Sequence, residues 1–131
     1  MVLEEVHILP TDKTPEILLD PNGNIKFKGR GLIVNNTEVP EEILNWIDEY
    51  LTNPAEITNV NIAFEYLNSF STTILVTILK KLAQVDQQSK KLIIKWYYEG
   101  DDEDILERGE YVLSAINIPI EFILTDDITD L

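Results

Sequence analysis

The sequence predicts an α/β sandwich, a mixed sheet whose elements run β-β-α-β-α-β-α-β. Three observations carry that expectation. Two short apolar runs flank Asp20-Pro21-Asn22-Gly23-Asn24, and the Asn-Gly pair tolerates the positive φ that a tight hairpin needs. Downstream, β-favouring runs alternate with amphipathic helical ones, the pattern of crossover units that place much of a sheet parallel. The 131 residues contain no repeat, linker or low-complexity stretch, so residues 1–131 are expected to form one domain.

Residues 15–20 and 25–29 read as the hairpin strands, with Lys26 and Lys28 alternating with Ile25 and Phe27 so that one face is wet. A helix is expected over 39–52, with Ile43, Ile47, Tyr50 and Leu51 inward, Leu44 and Trp46 widening the stripe, and Pro54 ending it. Residues 58–67 read as a strand with Val60, Ile62, Phe64 and Tyr66 on one side. The second helix is expected over 70–87, where Ile74, Leu75, Ile78, Leu79, Leu82 and Val85 keep helical spacing, with Lys80 and Lys81 off that stripe. Lys91-Leu92-Ile93-Ile94-Lys95-Trp96-Tyr97-Tyr98 is strongly β-favouring. A third helix over 102–116 turns Ile105, Leu106, Val112, Leu113 and Ile116 inward, residues 119–124 read as a last strand, and 125–131 as an acidic tail that frays.

Ten basic residues against 24 acidic leave a net charge of −14. That sign argues against nucleic acid and anionic membrane as partners and favours a protein with a basic or mixed surface. The absence of cysteine excludes disulfides, thiolate catalysis and Cys-based metal sites. No signal peptide and no membrane span are visible, so a cytoplasmic location is expected. Asn35-Asn36-Thr37 matches a glycosylation acceptor and is read as a chance match.

The richest local signal is the turn Asn68-Ser69-Phe70-Ser71-Thr72-Thr73 between the third strand and the second helix. Two readings stand side by side. Asn and Ser at a helix start commonly cap it. The turn also holds more hydroxyls than one cap requires, at a helix end where backbone N–H groups and the macrodipole favour negative charge, so it suits phosphorylation. Asn68, Phe70, Ser71, Thr72 and Thr73 are the candidate partner-binding residues around that site.

Other constellations are thinner. Glu99-Gly100-Asp101-Asp102-Glu103-Asp104 could bind a hard cation in a small metal-dependent enzyme, but it lacks the EF-hand pattern and sits where a helix begins. His7 is the one histidine, in a segment expected to fray or lie at an edge, and it is read as structural or incidental. Gly29-Arg30-Gly31 is too short for a phosphate cradle. No catalytic residue, metal ligand or cofactor is expected, and the chain reads as a non-enzyme.

The chain resembles the SiaC-type bacterial regulatory phosphoproteins, whose fold is similar to STAS domains and anti-sigma-factor antagonists. The resemblance runs from Thr14-Pro15-Glu16-Ile17 to Pro119-Ile120-Glu121-Phe122. Its most specific pieces are Glu65-Tyr66-Leu67-Asn68-Ser69, Lys95-Trp96-Tyr97-Tyr98, and Asp101-Asp102-Glu103-Asp104-Ile105-Leu106-Glu107-Arg108-Gly109-Glu110. Trp46-Ile47-Asp48-Glu49-Tyr50-Leu51 matches the family's Trp-Leu-x-x-Tyr helix. The resemblance implies that Ser69 is the phosphorylated residue, directly after the Tyr-x-Asn of the turn. It further implies a Ser/Thr kinase and a phosphatase as partners, and an unmodified form that binds and activates a diguanylate cyclase. An anti-sigma-factor antagonist with an anti-sigma factor as partner is the related alternative. The chain departs from the family where Gly31-Leu32-Ile33-Val34-Asn35 replaces Ser-x-Pro-Glu-Asn, and where Thr73 stands in place of lysine.

Overall fold

Six strands form one mixed sheet in the order β1-β2-β3-β4-β5-β6, the order of the chain itself. The computed structural model describes residues 3–31 and 38–131. The strands are β1 (Val6–Ile8), β2 (Glu16–Leu19), β3 (Asn24–Gly31), β4 (Ile57–Leu67), β5 (Lys91–Glu99) and β6 (Glu121–Thr125). The helices are α1 (Glu38–Tyr50), α2 (Ser69–Leu82) and α3 (Glu103–Ile116). β1, β2 and β3 pair antiparallel, and β3 to β6 pair parallel. The departures 31–35 and the sequon 35–37 fall largely or wholly on 32–37, outside the described residues.

The hairpin turns as its sequence dictates. Asp20 Oδ1 accepts from the Asn22 amide at 2.9 Å, and Gly23 takes φ +104°. A Cβ at Gly23 would meet the Ile57 carbonyl oxygen at 2.3 Å, so the turn also needs glycine for close approach to β4.

Each parallel crossover steps in the same direction along the sheet, and right-handed connections then stack all the helices on one face. α2 accordingly packs against both α1 and α3. Between the layers lies one cluster that includes Phe27, Trp46, Tyr50, Ile62, Leu79 and Trp96. Trp46 and Tyr50 stack at 5.2 Å on α1, and the Tyr50 hydroxyl shares a 2.7 Å hydrogen bond with buried Thr58.

Four expectations are corrected. First, an additional strand precedes the hairpin: β1 pairs with β2, and the Trp46 indole donates to the Glu4 carbonyl at 2.8 Å. His7 sits on this edge strand, its Nε2 2.8 Å from Glu16. Second, Tyr66 is exposed although Val60, Ile62 and Phe64 are buried. Gly29 faces Phe64 but Arg30 faces Tyr66, so Glu65 is an extra residue. This bulge reverses the alternation, sending Leu67 inward and Tyr66 outward.

Third, α2 ends at Leu82 and a tighter 3-10 turn follows over Ala83–Gln88. Fourth, the tail docks instead of fraying. On the face without helices, Ile128 is buried, with its short turn packed against β4 and β5. Its amide donates to Glu99 Oε2 at 2.9 Å, and Lys28 Nζ donates to the Thr129 carbonyl at 2.9 Å and to that of Leu131. The Thr129 hydroxyl and amide, with Lys28 nearby, hold the Asp127 carboxyl below its usual range.

Candidate functional site

β4 delivers the hydroxyl-rich turn to the carboxyl end of the parallel strands, where α/β sheets place their sites. Asn68 is the hinge between strand and helix. Its amide donates to the Gly31 carbonyl at 2.9 Å, fixing it to the end of β3. Its Oδ1 accepts from the Ser71 amide at 2.8 Å, which makes Asn68 the N-cap of α2. The capping reading of the turn is therefore satisfied by Asn68, and Ser69 follows as the first residue of the helix.

The hydroxyls divide into two kinds. Thr72 is 2% exposed, and its Oγ1 donates to the Asn68 carbonyl at 2.7 Å. Ser71 is 7% exposed and faces the core beside Leu75 and Ile78 around a small apolar cavity. These two sit inside the structure, away from any surface a partner would meet. Thr73 is exposed, with its Oγ1 turned back to the Ser69 carbonyl at 3.1 Å. Ser69 and Phe70 are exposed side by side in the first turn.

Electrostatics single out the same turn. The first turn of α2 carries no acidic residue, whereas that of α3 carries Glu103 and Asp104. In a chain with 24 carboxylates, the first turn of α2 itself supplies no counter-charge to the positive end of the helix. An exposed hydroxyl there offers a nucleophilic oxygen to an external enzyme, and the helix end favours the dianion that phosphorylation creates.

The one histidine, His7, lies on β1 at the sheet edge, bonded to Glu16 and three strands from β4. The acidic run is dispersed among structural tasks. Glu99 anchors the tail, Asp102 caps α3 by accepting from the Ile105 amide at 3.1 Å, and Glu103 and Asp104 occupy the first turn. Among the described residues no three His, Cys, Asp or Glu side chains converge as a metal site. No described helix is long and apolar enough to cross a membrane.

Beside the turn lies a feature that sequence reasoning missed, an open groove of about 600 Å3 between the end of β4 and α3. The β4–β5 pairing stops at Ile62–Trp96. Beyond it β4 continues along β3 to Leu67, and β5 continues along β6 to Glu99, so the two strands part. Glu65, Tyr66 and Leu67 form one wall and the first turns of α3 the other. The register of strand pairing is not written in local sequence, and the alternation of β4 by itself points Tyr66 inward.

A family model described as the SiaC family regulatory phosphoprotein matches residues 8–125. A protein of Pseudomonas aeruginosa named only as uncharacterized is 23% identical over 118 residues, 89% of this chain and 94% of that protein. The crystal structure of apo-SiaC from P. aeruginosa superposes with a TM-score of 0.78 at 22% identity, covering 92% of this chain and 98% of that one. The same organism's SiaC in complex with diguanylate cyclase SiaD, which it activates, superposes at 0.80 and 22% identity, covering 92% and 99%. At these identities the structures speak for the fold, and the family model, which spans most of the chain, speaks for descent: the chain belongs to the SiaC family of regulatory phosphoproteins.

Proposed function

We propose that this protein is a non-catalytic switch, controlled by reversible phosphorylation of Ser69 and acting through a protein partner. The observation that carries the reading is the exposed Ser69 at the first position of α2, with Asn68 already supplying the cap and no acidic residue in that turn. A Ser/Thr kinase transfers the terminal phosphoryl group of a nucleoside triphosphate to Ser69 Oγ, forming the O–P bond as the leaving diphosphate departs and the hydroxyl proton passes to the kinase. A phosphatase returns the hydroxyl by hydrolysis. The solved relative's complex with a diguanylate cyclase supports a diguanylate cyclase as the partner that the unmodified form binds and activates. Phe70, 38% exposed and next to Ser69, supplies apolar contact at the helix start, with Thr73 one turn on. A phosphate of roughly −1.5 to −2 charge at that point would have to be desolvated and would face the partner's surface, which weakens docking.

The test begins with intact-mass and peptide mass spectrometry of the protein from its own host, with and without phosphatase. Phosphate on Ser69 is expected. Ser69→Glu should then bind the host's diguanylate cyclase about tenfold or more weakly than Ser69→Ala, a difference of about 1.4 kcal/mol. A phosphate found elsewhere, or phosphoserine at 69 without effect on binding, removes the proposal.

A further inference from the structure

The groove between β4 and α3 has features that the switch does not use, and from them we infer a second interaction surface, a docking cleft for an Arg- or Lys-bearing peptide segment of a protein partner. The inference does not rest on modification of Ser69.

The cleft exists because the sheet parts after Ile62 and Trp96, and α3 lies across the opening. Two tyrosines border it, Tyr66 at 53% exposure and Tyr111 at 58%. Tyr66 reaches this position only through the bulge at Glu65. Two large rings more than half in water, on opposite walls of one concavity, offer the flat, rigid contact that protein interfaces favour.

Charge selects the occupant. Four carboxylates, Glu65, Asp102, Asp104 and Glu107, line the cleft against one guanidinium, Arg108. Asp102 is committed to its cap. Glu65, Asp104 and Glu107 take part in none of the ion pairs among the described residues, and neither does Arg108. Carboxylates alone would be no more than a solvated rim. Here they surround a preformed concavity with two aromatic faces, and they are too dispersed to gather around a metal ion. Cationic side chains carried on a peptide satisfy both features at once. A guanidinium pairs with a carboxylate while its plane stacks on a tyrosine, and an apolar residue between two basic ones meets the other ring.

The test uses the peptide Ac-Ala-Arg-Leu-Arg-Phe-Arg-Ala-NH2 as probe, with a counterpart in which glutamate replaces every arginine. Titration into 15N-labelled protein is followed by amide chemical shifts, which also verify folding in every variant. Expected are shifts confined to residues 63–67 and 102–111 for the arginine peptide and none for the glutamate peptide. The combined variant Glu65→Gln, Asp104→Asn, Glu107→Gln should weaken binding about fivefold or more, as should Tyr66→Ala with Tyr111→Ala. A control removing the same charge elsewhere, Glu4→Gln, Glu5→Gln, Asp12→Asn, should change it by less than about twofold. Shifts scattered over the acidic surface, an equal loss in the control, or no binding at millimolar peptide would each overturn the cleft as a docking site.

Discussion

Gly109→Ala is a sharp test of how α3 is seated. Alanine in mid-helix is ordinarily worth up to about 1 kcal/mol over glycine. Here an added Cβ would stand 2.6 Å from Phe122 Cε1 and 2.8 Å from both Cε2 and Nε1 of Trp96. Comfortable carbon contacts begin near 3.5 Å, so α3 would have to retreat by most of an ångström. Trp96 cannot yield, because it is fully buried and its indole donates to the Ile105 carbonyl at 3.1 Å, on the helix that would be displaced. Overpacking costs about 1–3 kcal/mol and the stretched hydrogen bond about 1 more. Set against the propensity gain, the net expectation is about 1–3 kcal/mol of destabilisation, or a fall of roughly 3–10 °C in Tm. Urea unfolding followed by far-ultraviolet circular dichroism measures it. On a Trp96→Phe background the penalty should shrink by about 1 kcal/mol, since the clashing edge of the indole is gone. If Gly109→Ala equals or exceeds the wild type in stability, the tight seating of α3 on β5 is refuted.

Two further outcomes follow from the site and the sheet edge. Asn68→Ala should cost about 1 kcal/mol through loss of the α2 cap, while Ser69→Ala should stay within about 0.5 kcal/mol, as thermal unfolding of the pair will show. The Glu16 carboxyl is held below its usual 4.5 by the hydrogen bond from His7 and by Lys26, whose Nζ is 3.5 Å away. A depressed carboxylate stabilises above its unfolded pKa and loses that contribution as pH falls through the folded one. Glu16→Gln should therefore be less stable than the wild type at pH 7, and the gap should close below about pH 4.5 in denaturation series run at each pH.

The elements easiest to read from sequence were those whose signal is periodic and local. Ile43, Ile47 and Tyr50, or Leu75, Ile78, Leu79 and Leu82, announce both a helix and its buried face, and the structure buries them all. Ser71 and Thr72 extend that second stripe by one turn toward the N-terminus, so their burial was written in the spacing although polarity concealed it. What escaped was set by partners far along the chain. Val6-His7-Ile8 is too short to declare a strand, and becomes one because β2 offers an edge and Trp46 holds Glu4. The tail is acidic and unpatterned, yet Lys28 and Glu99 capture it. The bulge at Glu65 depends on the register between β3 and β4, which neither strand encodes alone, and with it went the orientation of Tyr66 and the cleft it borders. Local chemistry marked the hydroxyl-rich turn, but it did not choose among Ser69, Ser71, Thr72 and Thr73, and Ser69 was singled out by the family resemblance.

The strand order has a kinetic consequence. Because every strand lies beside its neighbour in sequence, the sheet can grow by accretion from one end, each crossover helix closing a short loop before the next strand arrives. No strand must be threaded between two already paired. The clasp from Lys28 to Thr129 breaks this locality, spanning 101 positions and needing the end of β5 in place to present Glu99. It is thus the last connection that folding can make and the first that partial unfolding would release, so amide exchange should find the segment after β6 opening well before the sheet beneath it.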